Sequence, residues 1–188
     1  MITKSNKYKN LHYIVHAAAI TSPELDEAEA FQKTFRVNTL GTANLLEIAR
    51  SSSNMKKFIY ISSAAVYGNT NPEVLIDEGH PLEGKSTYSL TKESSEHLTK
   101  RYFDLFNLNS LAVRLGWVYG PMERPTGSRK NMSLIYQIFN LLNRDEEITI
   151  NDTSAVRDFI HVQDVAVAVK KILKTSTDQF KIYNISSG

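Results

Sequence analysis

Three kinds of side chain in this sequence suit proton transfer to or from a hydroxyl or carbonyl. Two serines, Ser62 and Ser63, close the apolar part of Lys57-Phe58-Ile59-Tyr60-Ile61-Ser62-Ser63-Ala64-Ala65-Val66-Tyr67-Gly68, and a loop later comes Tyr88-Ser89-Leu90-Thr91-Lys92. Residues 58–61 are short, β-branched and aromatic, as a strand covered on both faces should be. Ligands of open α/β sheets gather beyond the carboxyl ends of strands, so the two hydroxyls fall where chemistry is usually done. In a helix, a spacing of four puts Tyr88 and Lys92 on one face, one turn apart. Tyr-x-x-x-Lys alone is common enough to arise by chance in a chain with 9 tyrosines. On spacing alone a second reading stands level with the first: an ordinary buried strand with two satisfied hydroxyls, and a helical lysine in solvent.

The rest of the chain must position these groups. Its 188 residues suffice for one domain or slightly more, and 41% hydrophobic with 22% charged residues describe an ordinary soluble globule. A net charge of +2, with no Lys/Arg run beyond two, argues against nucleic acid as a partner. Zero cysteines exclude disulfides and thiolate metal sites and permit a cytoplasmic home; the five histidines form no ligand-spaced cluster. No apolar stretch approaches the roughly 18–20 residues of a membrane span, and no signal peptide is visible.

Residues 1–10 read as a polar lead-in, and 11–19 as an apolar strand ending in His16-Ala17-Ala18-Ala19. Those small residues allow close approach of a backbone or a flat ligand, or simply tight packing. Pro23 opens a helix that runs through Phe35, Val37, Leu40, Asn44, Leu45 and Ile48. Gly41 in its middle costs about 1 kcal/mol against Ala and suggests a close crossing. Asn38 is either a solvated helix residue or a polar group held near a ligand. Ser86 or Thr87 can cap the next helix, with Leu90, Ser94, Leu98, Tyr102 and Leu105 as its buried stripe. A strand at 110–114 exits through Gly116-Trp117-Val118-Tyr119-Gly120-Pro121. The loop at 122–132 holds Arg124, Arg129 and Lys130, by default solvated, alternatively a phosphate clamp. Ser133 starts a helix with Leu134, Ile138, Leu141 and Leu142 inward. Short strands are expected at 147–150 and 157–161, an apolar-striped helix from Asp164 ending in lysines that suit its dipole, and a last strand at 183–185. Strands alternating with helices predict a parallel α/β sheet.

Seven segments in order carry a resemblance: Val15-His16-Ala17-Ala18-Ala19; Asn38-Thr39-Leu40-Gly41-Thr42-Ala43-Asn44-Leu45-Leu46-Glu47; Ser62 through Gly68; Tyr88 through Lys92; Arg114 through Pro121; Arg157-Asp158-Phe159-Ile160-His161-Val162-Gln163-Asp164-Val165-Ala166; and Tyr183-Asn184-Ile185. Together they resemble the extended short-chain dehydrogenase/reductase family, in its nucleotide-sugar epimerase/dehydratase branch. The resemblance implies a Rossmann-like doubly wound parallel sheet, truncated N-terminally, over residues 1–121. Residues 122–188 would form part of a small substrate-binding region with returning Rossmann elements. It implies an NAD(P)-dependent sugar epimerase or oxidoreductase, with NAD the favoured cofactor, a sugar or nucleotide sugar as substrate, and a homodimer formed through the two long helices.

By the same resemblance Tyr88 is the base, Ser63 hydrogen-bonds the reacting oxygen, and Lys92 lowers the Tyr88 pKa and holds the nicotinamide ribose. A free phenol near pKa 10 is a poor base at neutral pH, so a nearby cation would help. Ala17, Ala18, Ala19, Asn38 and Gly116 map beside the cofactor, and Trp117 and Arg157 beside the substrate, Arg157 as a planar fork for a diphosphate.

Three departures qualify these implications. The family's opening unit with its glycine-rich phosphate loop is not in this sequence, nor is the acid after the second strand; that loop normally anchors the pyrophosphate on a helix N-terminus. The expectation is therefore a fragment or truncated frame of a longer enzyme, with the edge Tyr13-Ile14-Val15 unpaired. Ala64 and Ala65 replace the acidic pair of the 4,6-dehydratases, which argues against dehydration. Trp117 replaces an asparagine that contacts substrate phosphate. The competing expectations are a reductase of a non-nucleotide alcohol or ketone, and a non-catalytic Rossmann remnant acting as a binding module.

Overall fold

The computed structural model describes residues 8, 10–21, 27–71, 73–126, 129, 131–150, 156–175 and 179–188. The lead-in, Pro23 and Lys130 lie largely or wholly outside them. Strands β1 (Tyr13–His16), β2 (Lys57–Ser63), β3 (Ser110–Leu115) and β6 (Ile182–Ile185) form one parallel sheet in the order β1-β2-β3-β6. A second, two-stranded parallel sheet pairs β4 (Trp117–Tyr119) with β5 (Phe159–His161).

Helices cover both faces of the larger sheet. The chain from β1 to β2 runs through α1 (Glu27–Phe35), a π-helical turn at Arg36–Leu40, and α2 (Gly41–Ser51). Between β2 and β3 lies α3 (Thr87–Phe106); α4 (Leu134–Asn143) and α5 (Val162–Lys174) follow the smaller strands. Alternate residues of each buried strand face opposite sides. Thus Phe58, Tyr60 and Ala112 pack with Leu46 and Ala49 of α2, while Ile59, Leu111, Val113 and Ile185 pack with Val165 of α5. This is the doubly wound α/β arrangement expected from the alternating pattern. Lys57 crosses from β2 to cap the C-terminus of α5, donating from Nζ to the carbonyls of Ile172 (2.8 Å) and Thr175.

Several local expectations are corrected. No strand forms at 147–150, which pairs with no strand among the described residues. Gly41 marks no close crossing: a Cβ there would meet nothing nearer than the Arg36 carbonyl oxygen at 3.8 Å. It follows the π-turn, where the helical ladder has already been widened by one residue. No residue of α4 is buried, and Leu134 and Leu142 lie exposed rather than inward. The largest reversal is in α3. Its buried residues are Thr87, Ser89, Thr91, Lys92, Ser95, Glu96 and Thr99, whereas Leu90 and Leu105 are exposed. Leu98 and Tyr102 of the expected stripe do pack, partly buried, against the core, but the most buried face is polar, since its hydroxyls find their own acceptors: Ser95 Oγ donates to the Thr91 carbonyl and Thr99 Oγ1 to that of Ser95.

Candidate active site

Ser63 and Tyr88 arrive from separate elements through two glycines that let backbones touch. The Ser63 side chain caps a 3-10 turn (Ala64–Tyr67), accepting from Ala65 N at 3.2 Å. Gly68 leaves that turn at φ 75°, and a Cβ on it would lie 2.6 Å from the Glu83 carbonyl oxygen. A Cβ on Gly84 would lie 2.6 Å from the Ala65 carbonyl oxygen and 2.5 Å from Ser89 Cβ. The turn that follows β2 and the first turn of α3 are therefore pressed together where only glycine fits. Ser86 caps α3, accepting from Ser89 N at 3.1 Å, which orients Tyr88 one residue into the helix.

In this arrangement the Tyr88 side chain stands near Ser63, whose hydroxyl acts on the phenol. Lys92, one turn on, is buried; its Nζ donates to the Ile61 carbonyl at 2.8 Å and lies 5.1 Å from the Tyr60 ring centre and 5.6 Å from that of Tyr88. Sequence spacing and structure agree that the three groups meet, and the solvated-lysine reading falls. Ser62 is buried, and its hydroxyl has no hydrogen-bond partner among the described residues; Ser63 is the hydroxyl that acts on the phenol.

Burial pushes the Tyr88 phenol above its ordinary value, opposed by the Ser63 hydroxyl and the charge of Arg129. Lys92 Nζ, bonded to the Ile61 carbonyl, stands over the faces of the Tyr60 and Tyr88 rings. Burial lowers Lys92 itself to about 8, with Glu96 acting the other way.

The expected cofactor positions divide. Ala17 and Ala18 are exposed just beyond the end of β1, with Ala19 half-buried. Asn38 is buried, not solvated, and its amide is given over to the protein. Oδ1 accepts from Ile20 N at 2.8 Å, while Nδ2 donates to the Ile20 carbonyl and Thr91 Oγ1, each at 3.0 Å. It ties the segment after β1 to α3, and so positions the site rather than offering itself to a ligand. Gly116 is closely packed: a Cβ there would stand 3.1 Å from the Asp158 carbonyl oxygen. Trp117 is exposed, with the Arg157 guanidinium 5.4 Å from its ring centre and the Phe159 ring at 6.4 Å. These two expected substrate residues do come together. In the 122–132 loop Arg129 is paired with Glu123 at 2.8 Å.

Sequence reasoning missed the polar groups behind the site. Arg114, buried on β3, donates from Nε to Glu96 Oε1 at 3.0 Å and from Nη2 to Oε2 at 2.7 Å. Its Nη1 reaches Tyr67 Oη at 2.8 Å and the Glu78 carbonyl at 3.1 Å. Tyr67 in turn donates to Asn184 Oδ1 at 2.7 Å. One signal was available: Glu96 follows Lys92 by four residues and so shares its face. His16 was also passed over; it is buried, with Nε2 2.9 Å from Thr42 Oγ1. Thr42 spends its proton on the Asn38 carbonyl at 2.6 Å, so the imidazole Nε2–H is the donor to Thr42. Among the described residues no three His, Cys, Asp or Glu side chains group to hold a metal, and no helix is long and apolar enough to cross a membrane.

Known proteins carry the same pattern. The sequence profile of the NAD dependent epimerase/dehydratase family matches residues 2–186. A putative UDP-glucose 4-epimerase of Methanocaldococcus jannaschii is 31% identical over 182 residues, 96% of this chain and 57% of that protein. The dTDP-D-glucose 4,6-dehydratase of Dictyostelium discoideum is 28% identical, over 95% of this chain and 42% of its own. The structure of UDP-glucuronic acid 4-epimerase from Bacillus cereus in complex with NAD superposes with a TM-score of 0.82 at 27% identity, covering 95% of this chain and 54% of that one. The chain spans about half the length of the curated relatives it matches. With this sheet order, this triad of side chains and a match over nearly its whole length, the chain belongs to the NAD dependent epimerase/dehydratase family.

Proposed function

We propose that this chain carries the catalytic half of an NAD(P)-dependent sugar epimerase or oxidoreductase, with a nucleotide sugar as substrate and NAD as the favoured cofactor. The observation that carries the reading is the convergence of three side chains: Lys92 Nζ lies 5.6 Å from the Tyr88 ring centre, and Ser63, capping the turn after β2, acts on the Tyr88 phenol. Tyr88 takes the proton of a sugar hydroxyl as that carbon is oxidised, and returns one when it is reduced. Ser63 donates to the reacting oxygen and holds it at the phenol. Both steps are general acid–base transfers by positioned groups.

The residues fit a dinucleotide. An ammonium has three donors, and among the described residues Lys92 gives one to a protein acceptor, Ile61 O. The others are free for ribose hydroxyls, and the exposed Ala17 and Ala18 leave room beyond β1. When bound, the nicotinamide supplies a carbon that accepts and returns a hydride. The Trp117–Arg157 pair, where the core expected over 1–121 meets the smaller region expected over 122–188, offers a flat face and a cation for the substrate's nucleotide or phosphate part. Ala64 and Ala65 leave no acid in the turn after Ser63, which favours epimerisation over dehydration.

A homodimer through the long helices is part of this reading. Phe31, Phe35, Leu40 and Leu90 are exposed, and α3 carries a groove of ≈ 420 Å³ where Leu98 is surrounded by Ser94, His97, Lys100, Arg101 and Asp104. The exposed apolar side chains suit an interaction surface, and the charged groove suits its polar rim.

The test is turnover. The chain is fused to the glycine-rich unit of a relative, supplied with NAD and a panel of UDP- and dTDP-hexoses, and its products are read by NMR. A C4 epimer from one sugar nucleotide, lost in Tyr88→Phe, is expected. Turnover that survives Tyr88→Phe unchanged overturns the assignment of the base, and a 4-keto-6-deoxy product overturns the preference for epimerisation.

A further inference from the structure

We propose that the buried Arg114–Glu96 pair is a positioning device of this site: Glu96 is the counter-charge that keeps the Lys92 ammonium in place against Tyr88, and Arg114 holds Glu96 while clamping the Ser63 turn to the same point. This rests on the reading of Tyr88 and Lys92 as a proton-transfer pair.

Tyr88, Lys92 and Glu96 stand four residues apart on α3, a single column of side chains. Lys92 is buried, and an ammonium out of water is costly unless compensated. The titratable groups that act on it or face it come from three elements. His16 on β1 is held neutral, lowered to about 4 by burial and by Lys92 itself. Tyr60 on β2 presents its ring face at 5.1 Å, and burial drives its phenol far up, so it too is neutral. On α3 stand Tyr88, also raised by burial, and Glu96. Glu96, one turn further along the same buried face of α3, is the carboxylate whose charge acts on Lys92.

Glu96 itself is fixed by Arg114. The guanidinium grips both carboxylate oxygens, at 3.0 and 2.7 Å, and both side chains are almost fully buried. The remaining Arg114 donor, Nη1, reaches Tyr67 at the end of the Ser63 turn and the carbonyl of Glu78 in the loop that precedes α3. Arg114 also pairs in register with Ser62, so it sits on the strand next to the catalytic hydroxyl's own. One guanidinium therefore joins the segment carrying Ser63 to the helix carrying Tyr88 and Lys92. A plain structural brace would need this geometry too; only the charge-setting role requires Lys92 to respond to Glu96.

The experiment follows the Lys92 side chain by 13Cε NMR through a pH titration, assigned by the signal missing in Lys92→Met. Glu96→Gln keeps the shape and removes the charge. The expected result is a proton affinity at Lys92 about tenfold weaker than in the wild type. Because Glu96→Gln leaves Arg114 buried and uncompensated, Glu96→Gln/Arg114→Met is measured beside it; that variant removes both charges, and Lys92 is expected to weaken there as well. A Lys92 midpoint unchanged in a folded variant overturns the proposal. So does a wild-type Lys92 that is already a neutral amine at neutral pH, a result that needs no variant to fold. The readout is independent of turnover: loss of the base assignment by an active Tyr88→Phe leaves the Lys92 titration standing as its own result.

Discussion

Replacing His16 with glutamine is expected to flatten the acid limb of this protein's stability curve. The imidazole is 4% exposed and lies against the Tyr60 and Phe58 rings, with ring centres 5.6 and 6.4 Å away. Burial, and then the Lys92 charge, lower it from its ordinary 6.5 to about 4. In the unfolded chain it takes up a proton as the pH falls below 6.5, while the folded chain refuses one until about 4. Across that window the unfolded state binds more protons, so stability falls as the pH drops; below about 4 both states are protonated and the effect is complete. At about 1.4 kcal/mol per pH unit the gap comes to about 3 kcal/mol, a substantial part of the stability of a domain this size. Urea denaturation at stepped pH from neutral to 4 measures it. Carboxylates contribute to both proteins, so the difference between wild type and His16→Gln isolates the imidazole. Glutamine keeps an N–H for Thr42 but not the ring contacts, so the variant starts lower and loses less on acidification. Parallel curves for the two proteins would refute the reasoning.

Gly84→Ala should cost about 1–3 kcal/mol through overpacking, because its Cβ would stand 2.5 Å from Ser89 Cβ and 2.6 Å from the Ala65 carbonyl oxygen; thermal unfolding reads this, and an unchanged Tm would show that the turn and helix are not pressed together. Lys57→Met should lose about 1.5–3 kcal/mol, the worth of a charged hydrogen bond, since Nζ caps the α5 carbonyls of Ile172 and Thr175; equilibrium denaturation checks it. Leu90→Glu, on the exposed stripe of α3, should shift sedimentation from dimer to monomer without altering the far-UV spectrum, and an unchanged sedimentation coefficient would remove α3 from the interface.

What could be read in the sequence was whatever local pattern alone determines. The strand ending in Ser62-Ser63 showed in its β-branched run, and the helical spacing of Tyr88 and Lys92 placed both on one face. The α3 stripe is legible only in part: Leu98 and Tyr102 pack against the core, but the most buried face is made of Ser, Thr, Lys and Glu, which look solvated until their acceptors are known. Gly41 looked like a packing contact, yet it follows a π-turn that no hydropathy period reveals. Asn38 reads from the sequence as either solvated or ligand-facing because its partners, the Ile20 backbone and Thr91, are distant in sequence. The Arg114–Glu96 pair was invisible for the same reason, being a contact between β3 and α3 set by register. Long-range hydrogen bonds carry no local signature, and this site is assembled largely from them.

The central claim is that the Tyr88 phenol, held by Ser63 and backed by Lys92, moves the proton while a sugar carbon is oxidised. Single-turnover reduction of NAD by a UDP-hexose, in the chain completed with a glycine-rich unit, measures that step apart from product release. The account predicts a rate at least a hundredfold lower in Tyr88→Phe, within the range of general acid–base catalysis by a positioned group, with sugar-nucleotide affinity retained. An equal rate of reduction in wild type and Tyr88→Phe would contradict it.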